Sequence, residues 1–592
     1  AASNGNVGIG NYTMDSALDG ALGNVSLGHY AVSSLTTGDY NIGIGSNAGL
    51  SITTGANNII LGRLAGDTMT ATSNTVIIGF EAGQAINATG ANGTVVIGYK
   101  AGYAITSAAG STFIGNSAGQ EHVTGDSNTA IGQNAMYDSN GVAGYHNTFL
   151  GVNSGAGGWT TGAPTYNVGI GNFTLDGAMN GATYNTTIGY SSLSGITTGD
   201  YNTAVGGRAL DSVVTGTGNT AVGMDAGGVF TAGGGVFMGY EAGASLTSGD
   251  TALIGYQAGK RMVGTGNVGL GYGVLYGASS TAANNTGTYN TAMGVQALRW
   301  VSKTVGSTGI GAEAGYYITG SYNTFVGYKS GYGSITSAPY SSGGNNTAVG
   351  YATLHNTTSG NDNVAIGYRA GIATTSASGS VMIGSGAGDA TTTGNGHVAI
   401  GYGALGSGNA TADGAVAIGY MAGNTFTNAG NEGSVYIGYK AGQGIVNSTV
   451  VMIGYKAGSS YSGTGKGEGV TLIGHRAGLN SNDDAINNTA VGYASLYANT
   501  AGERNTVMGR NAGFEITTGD NNTLIGYNTM GPLTGLRNTA IGAGAMQDVD
   551  AGSTSGGSSD NIFMGYNAGG GTWTDVASNR NVTLGNYTMD AA

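Results

Sequence analysis

A five-residue phrase recurs along the whole chain: a polar residue, a β-branched residue, a variable residue, an aliphatic residue and then glycine. NTAIG at 128–132, NTAVG at 202–206, NVAIG at 363–367 and NTLIG at 522–526 are examples. The closing glycine falls at 33 places between Gly10 and Gly585, so the mean interval is about 18 residues. A fixed period near 20 residues is the signature of a solenoid, in which one winding buries its apolar face only by stacking on the next. The phrase never lapses for more than one winding, so residues 1–592 read as one continuous repeat domain. The expected fold is all-β: a parallel β-solenoid, or β-roll, of about 33 coils with a period near 17–18 residues.

Composition supports a repeat over disorder or collagen. Glycine is 119 of 592 residues, but proline is only 3, and the glycines sit at fixed places in a long period. Charged residues are 8% and apolar residues 40%, the reverse of a disordered chain. The net charge of −13 is dilute over this length, and the 17 basic residues form no run, which argues against a nucleic-acid partner. Cysteine is absent, which removes disulfides and thiolate metal sites and fits an extracellular location. No run of 18 apolar residues exists, so no helical membrane span is expected. The chain opens AASN, without Met or a signal sequence, and reads as a processed product or an excerpt of a longer fibre.

With the anchor glycine numbered zero, position −1 is Ile, Leu, Val or Met at all 33 anchors, and position −3 is Val, Ile or Thr at all but Ala252. This shared parity predicts that −3 and −1 point into the coil. Position −2 then faces outward, yet it is apolar almost throughout, with Ser26, Thr187, Tyr436 and Thr583 as departures. An apolar outer stripe predicts that identical chains pack on it, most simply as a side-by-side homotrimer. Position −4 is Asn at 21 anchors and +1 is Tyr at 15, which predicts an amide ladder and an aromatic ladder along the stack. Position +3 is Ala, Ser or Thr at all but Val274, and +4 is Gly in about half the coils and Leu, Met or Val in the others, which suits a tight corner. The rest of the coil often reads T-T-G-D, as at 36–39, 197–200 and 517–520, predicting a second short strand and a turn whose Asp bonds its own backbone.

Interruptions mark loops. The intervals 271–294, 327–350 and 542–565 are 23 residues, and 151–171, 454–474 and 565–585 are 20. Trp159 and Trp573 lie in such insertions, and Trp300 lies in an ordinary coil beside Arg299. These three tryptophans are the candidate surface-contact residues, for a host-surface glycan or protein; the structural reading is that each covers a local apolar gap. The six histidines pair with no carboxylate at ligand spacing and read as surface or ladder residues. The G-x-G patterns are by-products of the repeat, and the G-G-x-G-x-D calcium pattern is absent, so isolated turn Asp residues would hold Ca²⁺ only weakly. No acid, base and nucleophile assemble. No enzyme, cofactor or metal site is expected.

The N-T-A-I-G phrase with a small residue three places on resembles the N-S-V-A-I-G repeat in the heads of trimeric autotransporter adhesins, the YadA-like family. It is also similar to Gly/Asn-rich repeats of phage tail fibres. The resemblance spans nearly the whole chain on about five positions per coil. It implies a parallel β-roll, three chains side by side, and attachment to a host surface, from a virion tail or a cell surface. The chain departs from it by a longer period and by lacking heptad stalks, an anchor and an intramolecular chaperone. Two other functions stay open. Uncapped, similar ends (NVGIGNYTMD at 6–15, NVTLGNYTMD at 581–590) suit a filament that polymerises end to end. An ice- or glycan-binding solenoid would need repeated outward Thr, and the most regular Thr is expected inside, at −3.

Overall fold

The computed structural model describes residues 2–589 except 88, 248, 279–284, 334–340, 390, 408–410, 426–431, 445–448, 461–467, 482–484, 532–533, 548–556 and 572–578. The described residues form 33 short strands and a single turn of 3₁₀ helix at Thr89–Ala91. They group into two units, residues 1–290 and 291–592. The first holds β1 (Val7–Ile9) to β16 (Val268–Leu270), and the second β17 (Thr291–Met293) to β33 (Val582–Leu584). Within each unit every strand pairs in parallel with the next in sequence. Thr203, Ala204 and Val205 of β12 (Thr203–Val205) lie against Thr220, Ala221 and Val222 of β13 (Thr220–Val222), and Val398, Ala399 and Ile400 against Val416, Ala417 and Ile418. The protein is therefore an all-β parallel solenoid, and the predicted strand is the −3 to −1 segment of each coil.

The anchor glycine ends each strand for a steric reason. Its φ is +135° at Gly189 and +134° at Gly419, a conformation L side chains rarely adopt. A Cβ on Gly189 would lie 2.6 Å from the backbone of Gly206, the anchor one coil on. Backbone meets backbone along this edge of the coil, and nothing larger than hydrogen fits.

The facing of the strand is opposite to the expectation. Position −2 is buried in every strand but the first, and −3 and −1 are never buried. The aliphatics before the glycine are among the exposed residues, with Leu27 at 44% and Leu270 at 44%. Stacking is thus as expected, but the inner and outer rows are exchanged. The core is a narrow seam in which −2 meets the small +3, the +4 residue, and an apolar residue at +7 such as Ile52, Ile105 or Ile516. The variation at −2 is matched across this seam. Phe113, Phe237 and Phe325 each press on a +4 glycine, where a Cβ on Gly119, Gly243 or Gly331 would lie 2.2–2.5 Å from the ring. Where −2 is Gly43, the space is taken by Val32 from +4 of the preceding coil; where it is Gly309, by Leu298. Large against glycine and glycine against large keeps the packing dense. The polar departures bond inside: Ser26 donates to the carbonyl of Ala31 at 2.8 Å, and Thr187 to that of Ser192 at 3.2 Å.

The second half of the coil also differs from expectation. Among the described residues it shows isolated parallel bridges in place of a second strand, such as Ser107 with Thr124 and Tyr145 with Thr165. The turn Asp bonds the neighbouring coil, not its own turn: Asp39 accepts from the amide of Leu22 at 2.8 Å and Asp200 from that of Thr183 at 2.7 Å. Turn threonines follow the same rule, with Thr36 donating to the carbonyl of Thr53 at 3.0 Å and Thr53 to that of Thr70 at 3.1 Å. The turn is held by inter-coil bonds, so it needs no strand geometry of its own.

Candidate functional site

Two ladders run along the stack, one inside and one outside. The inner one is the −4 asparagine. Asn185 donates from Nδ2 to Oδ1 of Asn167 at 3.0 Å and to the carbonyl of Gly199 at 2.9 Å. Its own Oδ1 accepts from the backbone and side-chain nitrogens of Asn202, at 3.0 and 2.9 Å. Every polar atom of a fully buried amide is thereby bonded, which is what burial demands. The same pattern joins Asn505, Asn522 and Asn538.

The outer ladder is the +1 tyrosine. Tyr402, Tyr420, Tyr439 and Tyr455 stack face to face at 5.1–5.2 Å, and His475 and Tyr493 continue the row at 4.9 and 4.8 Å. Tyr240, Tyr256 and Tyr272 stack at 5.3 Å. A separate exposed row at −5 stacks His146, Tyr166, Tyr184 and Tyr201 at 4.9–5.2 Å. Beside the +1 row, position +2 carries charges that pair between coils. Lys100 lies 3.5 Å from Glu81, Arg208 2.6 Å from Asp225 and Lys329 3.6 Å from Glu313. Lys440 and Lys456 rest over the rings of Tyr439 and Tyr455.

Between these rows lies the outer strand face formed by −3 and −1. No charged residue occurs in it in any strand. Thr112, Thr129 and Thr148 stand in register along it, as do Thr489, Thr506, Thr523 and Thr539. The threonine expected inside is therefore outside, and the objection it raised to an ice- or glycan-binding face falls.

Two of the three tryptophans lie among the described residues, and they lie in different units. Trp159 is wholly buried and lies beside Phe149, with ring centres 6.4 Å apart. A Cβ on Gly144 would lie 2.6 Å from its ring, so it fills a core gap and cannot be a surface contact. The insertion that carries it folds inward because the indole closes the seam beside Phe149. Trp300 is half-buried, stacks parallel to Tyr317 at 6.3 Å and lies under the Arg299 guanidinium. Trp573 lies outside the described residues.

Of the histidines, five keep ladder or surface places, but His122 is in the core at +7, where other coils carry Ile or Met. Burial pushes its imidazole down to about 4, against a partly compensating bond to the carbonyl of Gly125 at 3.2 Å. Among the described residues no three His, Asp or Glu side chains gather as a metal site would need, and no helix is long and apolar enough to cross a membrane.

These ladders define a parallel β-solenoid, an architecture compatible with repeat fibre proteins. No protein-family model matches the chain, and no curated protein sequence matches it.

The sequence did contain a signal for the true outer face. Phenylalanine at −2 comes with glycine at +4 in the same coil at 113/119, 149/155, 237/243, 325/331 and 563/569. Size compensation of that kind requires the two positions to touch, which places −2 inside.

Proposed function

We propose that this chain is a non-enzymatic extracellular structural fibre for surface attachment, of the phage tail-fibre or bacterial adhesin kind, in which three copies pack side by side on the outer strand face. One observation carries the reading: the −3 and −1 rows are uncharged and unburied in strand after strand, although the chain as a whole is acidic. The −1 row is aliphatic throughout and the −3 row runs in stretches of Val or Ile and of Thr; an uncharged strip so largely apolar is a contact surface more often than a wetted one. Its occupant is a second copy, because a stack with a fixed repeat is met row for row by a partner of the same repeat. At about 4.8 Å per coil the ladder from β17 to β33 runs about 80 Å, and a strip roughly 10 Å wide offers about 800 Å², the share each partner gives to a standard interface.

Sedimentation of the purified chain, with negative-stain imaging, tests the reading. The expected species is a finite rod of three chain masses, dispersed by the double substitution Ile418→Lys, Ile437→Lys on the outer face. A monomer at every concentration, unchanged by those lysines, overturns the packing. Open-ended filaments would favour end-to-end polymerisation without a receptor.

A second reading, an ice-binding face, is favoured by the outward threonine rows at about 4.8 Å spacing. It expects inhibition of ice recrystallisation that is lost in Thr506→Lys, Thr523→Lys. Ice growth unaffected by the wild-type chain removes it.

A further inference from the structure

The tyrosine ladder of the second unit is interrupted in several coils, and the interruption at Ser385 leaves an open space. Tyr351 and Tyr368 stack at 5.2 Å, and Tyr402 and Tyr420 stack at 5.2 Å. Between the two pairs the +1 residue is Ser385. The gap is deepened by glycine at +2 in two successive coils, Gly386 and Gly403, where neighbouring coils carry Arg369 and Met421. A Cβ on Gly386 would meet nothing within 4 Å. The result is an open cleft of about 340 Å³ whose lining includes Tyr368, Tyr402, Arg369, Asp389, Met421 and Asn424. Its volume is within the range of small-ligand sites. The missing rung at Ala543, between Tyr527 and Tyr566, is different: there Asn567 occupies the space, and a Cβ on Gly544 would lie 2.1 Å from its Oδ1.

The dimensions of the cleft select a ligand. Tyr368 and Tyr402 are two coils apart, so their rings are separated by about 9.6 Å. A flat aromatic ring in contact with both faces needs only about 7–8 Å, at 3.5–4.0 Å per contact. A puckered pyranose, with C–H bonds projecting from both faces, is thicker and fits the wider slot. The rim is polar. The Arg369 guanidinium stands 4.0 Å from the Asp389 carboxylate, which supplies forked donors beside an acceptor. Asn424 is held in place, donating to the carbonyl of Gly403 at 2.9 Å and accepting from the Ser407 hydroxyl at 2.8 Å.

We propose that this cleft binds one pyranose unit of a surface glycan, sandwiched between Tyr368 and Tyr402, with Arg369 and Asp389 bonding its hydroxyls. The assignment of the sugar to a surface rests on the attachment reading above; the slot itself rests on its own geometry.

Saturation-transfer NMR on the full chain tests it, with methyl glucopyranoside, methyl galactopyranoside and N-acetylglucosamine as probes and indole as the flat control. At least one sugar is expected to bind at millimolar concentration. Ser385→Tyr restores the rung, in a coil geometry its neighbours already tolerate, and should reduce the sugar signal at least tenfold. Arg369→Gln, which leaves the rings in place, should weaken binding several-fold. Equal sugar signals in wild type and Ser385→Tyr, no sugar signal at all, or capture of indole alone would each overturn the proposal. Sedimentation of the same samples separates the two readings. Assembly without sugar binding sinks the slot and spares the fibre; sugar binding by a strict monomer does the reverse.

Discussion

Two stretches of the molecule hold the same coil together by different means. From β9 (Thr148–Leu150) to β13, the −4 position is an unbroken row of buried asparagines, from Asn147 to Asn219, and the +1 position has only one tyrosine. From β21 (Val364–Ile366) to β26 (Val450–Ile453), the ladder asparagine is lost after Asn363, replaced by Ser380, His397, Ala415, Ser434 and Val450, and the tyrosine stack takes over outside. The outer face changes with it, from Thr-rich to Val-x-Ile. The pattern repeats on a smaller scale, where Gly235 and Thr251 interrupt the asparagines beside the stack of Tyr240, Tyr256 and Tyr272. Register in a parallel stack thus has two sources, a saturated polar spine that tolerates no slip and rows of stacked rings; the first stretch has the spine together with its ring row at −5, and the second has lost the spine and keeps the rings at +1.

The largest effect should be one that the two stretches share. Gly189→Ala and Gly419→Ala both force a side chain onto φ near +135° and onto the backbone of the next anchor, at 2.6 and 2.5 Å. Strain and overpacking together should cost about 4 kcal/mol in either stretch. Hydrogen-exchange protection of the flanking strands measures the loss locally, which suits a stack that opens in segments. A large difference between the two variants would mean that the anchor geometry is not common to them.

Acid comes next. His122 is neutral in the fold, with its folded-state value held near 4, and the unfolded chain takes up its proton near 6.5. Between those values the unfolded state binds more protons, so stability is complete above about pH 6.5 and falls as pH drops toward 4, by about 3 kcal/mol. The affected amides should be those of the coils around Gly115 and Gly132, and His122→Ile should abolish the dependence. His397, which stands in for a ladder asparagine in the tyrosine-rich stretch, is also pushed down by burial, countered by the charge of Asp413. The acid response there should run in the same direction.

Asn185→Ala should cost about 2 kcal/mol, because it takes the acceptor from the backbone amide of Asn202 and the side-chain donor from the carbonyl of Gly199 in the core, while Oδ1 of Asn167 keeps the backbone amide of residue 185. Ser380→Ala, at the same position where the spine has already lapsed, should cost less. Equal losses would break the distinction between the two stretches. The smallest effect is expected outside: Tyr439→Ala removes two stacking contacts for about 1 kcal/mol. Thermal melts of the single variant and of Tyr420→Ala, Tyr439→Ala together would show whether the rings act as a row.

Much of this was legible in the residues themselves. The strand in each coil, the parallel pairing, the amide ladder through Asn185 and the ring ladder through Tyr439 all follow from one fact: a residue repeated once per coil must lie beside its own copy. The facing of Ile170 and Thr186 was not legible that way, because both parities of the strand are apolar and the pattern is symmetric to a half-turn. Uniformity at −1 does not signal burial here; it belongs to an outer row whose members lie beside their own copies. The pairing of Phe237 with Gly243 would have resolved it. The place of Trp159 is not legible in the sequence, because spacing shows that an insertion is present and not which way it folds; its indole closes the seam beside Phe149.

What the chain alone determined is periodic: how long a coil is, where it turns on glycine, and which residues meet their copies. What the tertiary structure decided is everything that depends on the chain closing around a coil: which side of the strand faces +3, +4 and +7, where His122 and Trp159 are enclosed, and where an absent tyrosine leaves a cleft. The physical reason is that stacking is a relation between equivalent positions, visible as repetition, whereas burial is a relation between inequivalent ones, fixed only when the coil folds back on itself.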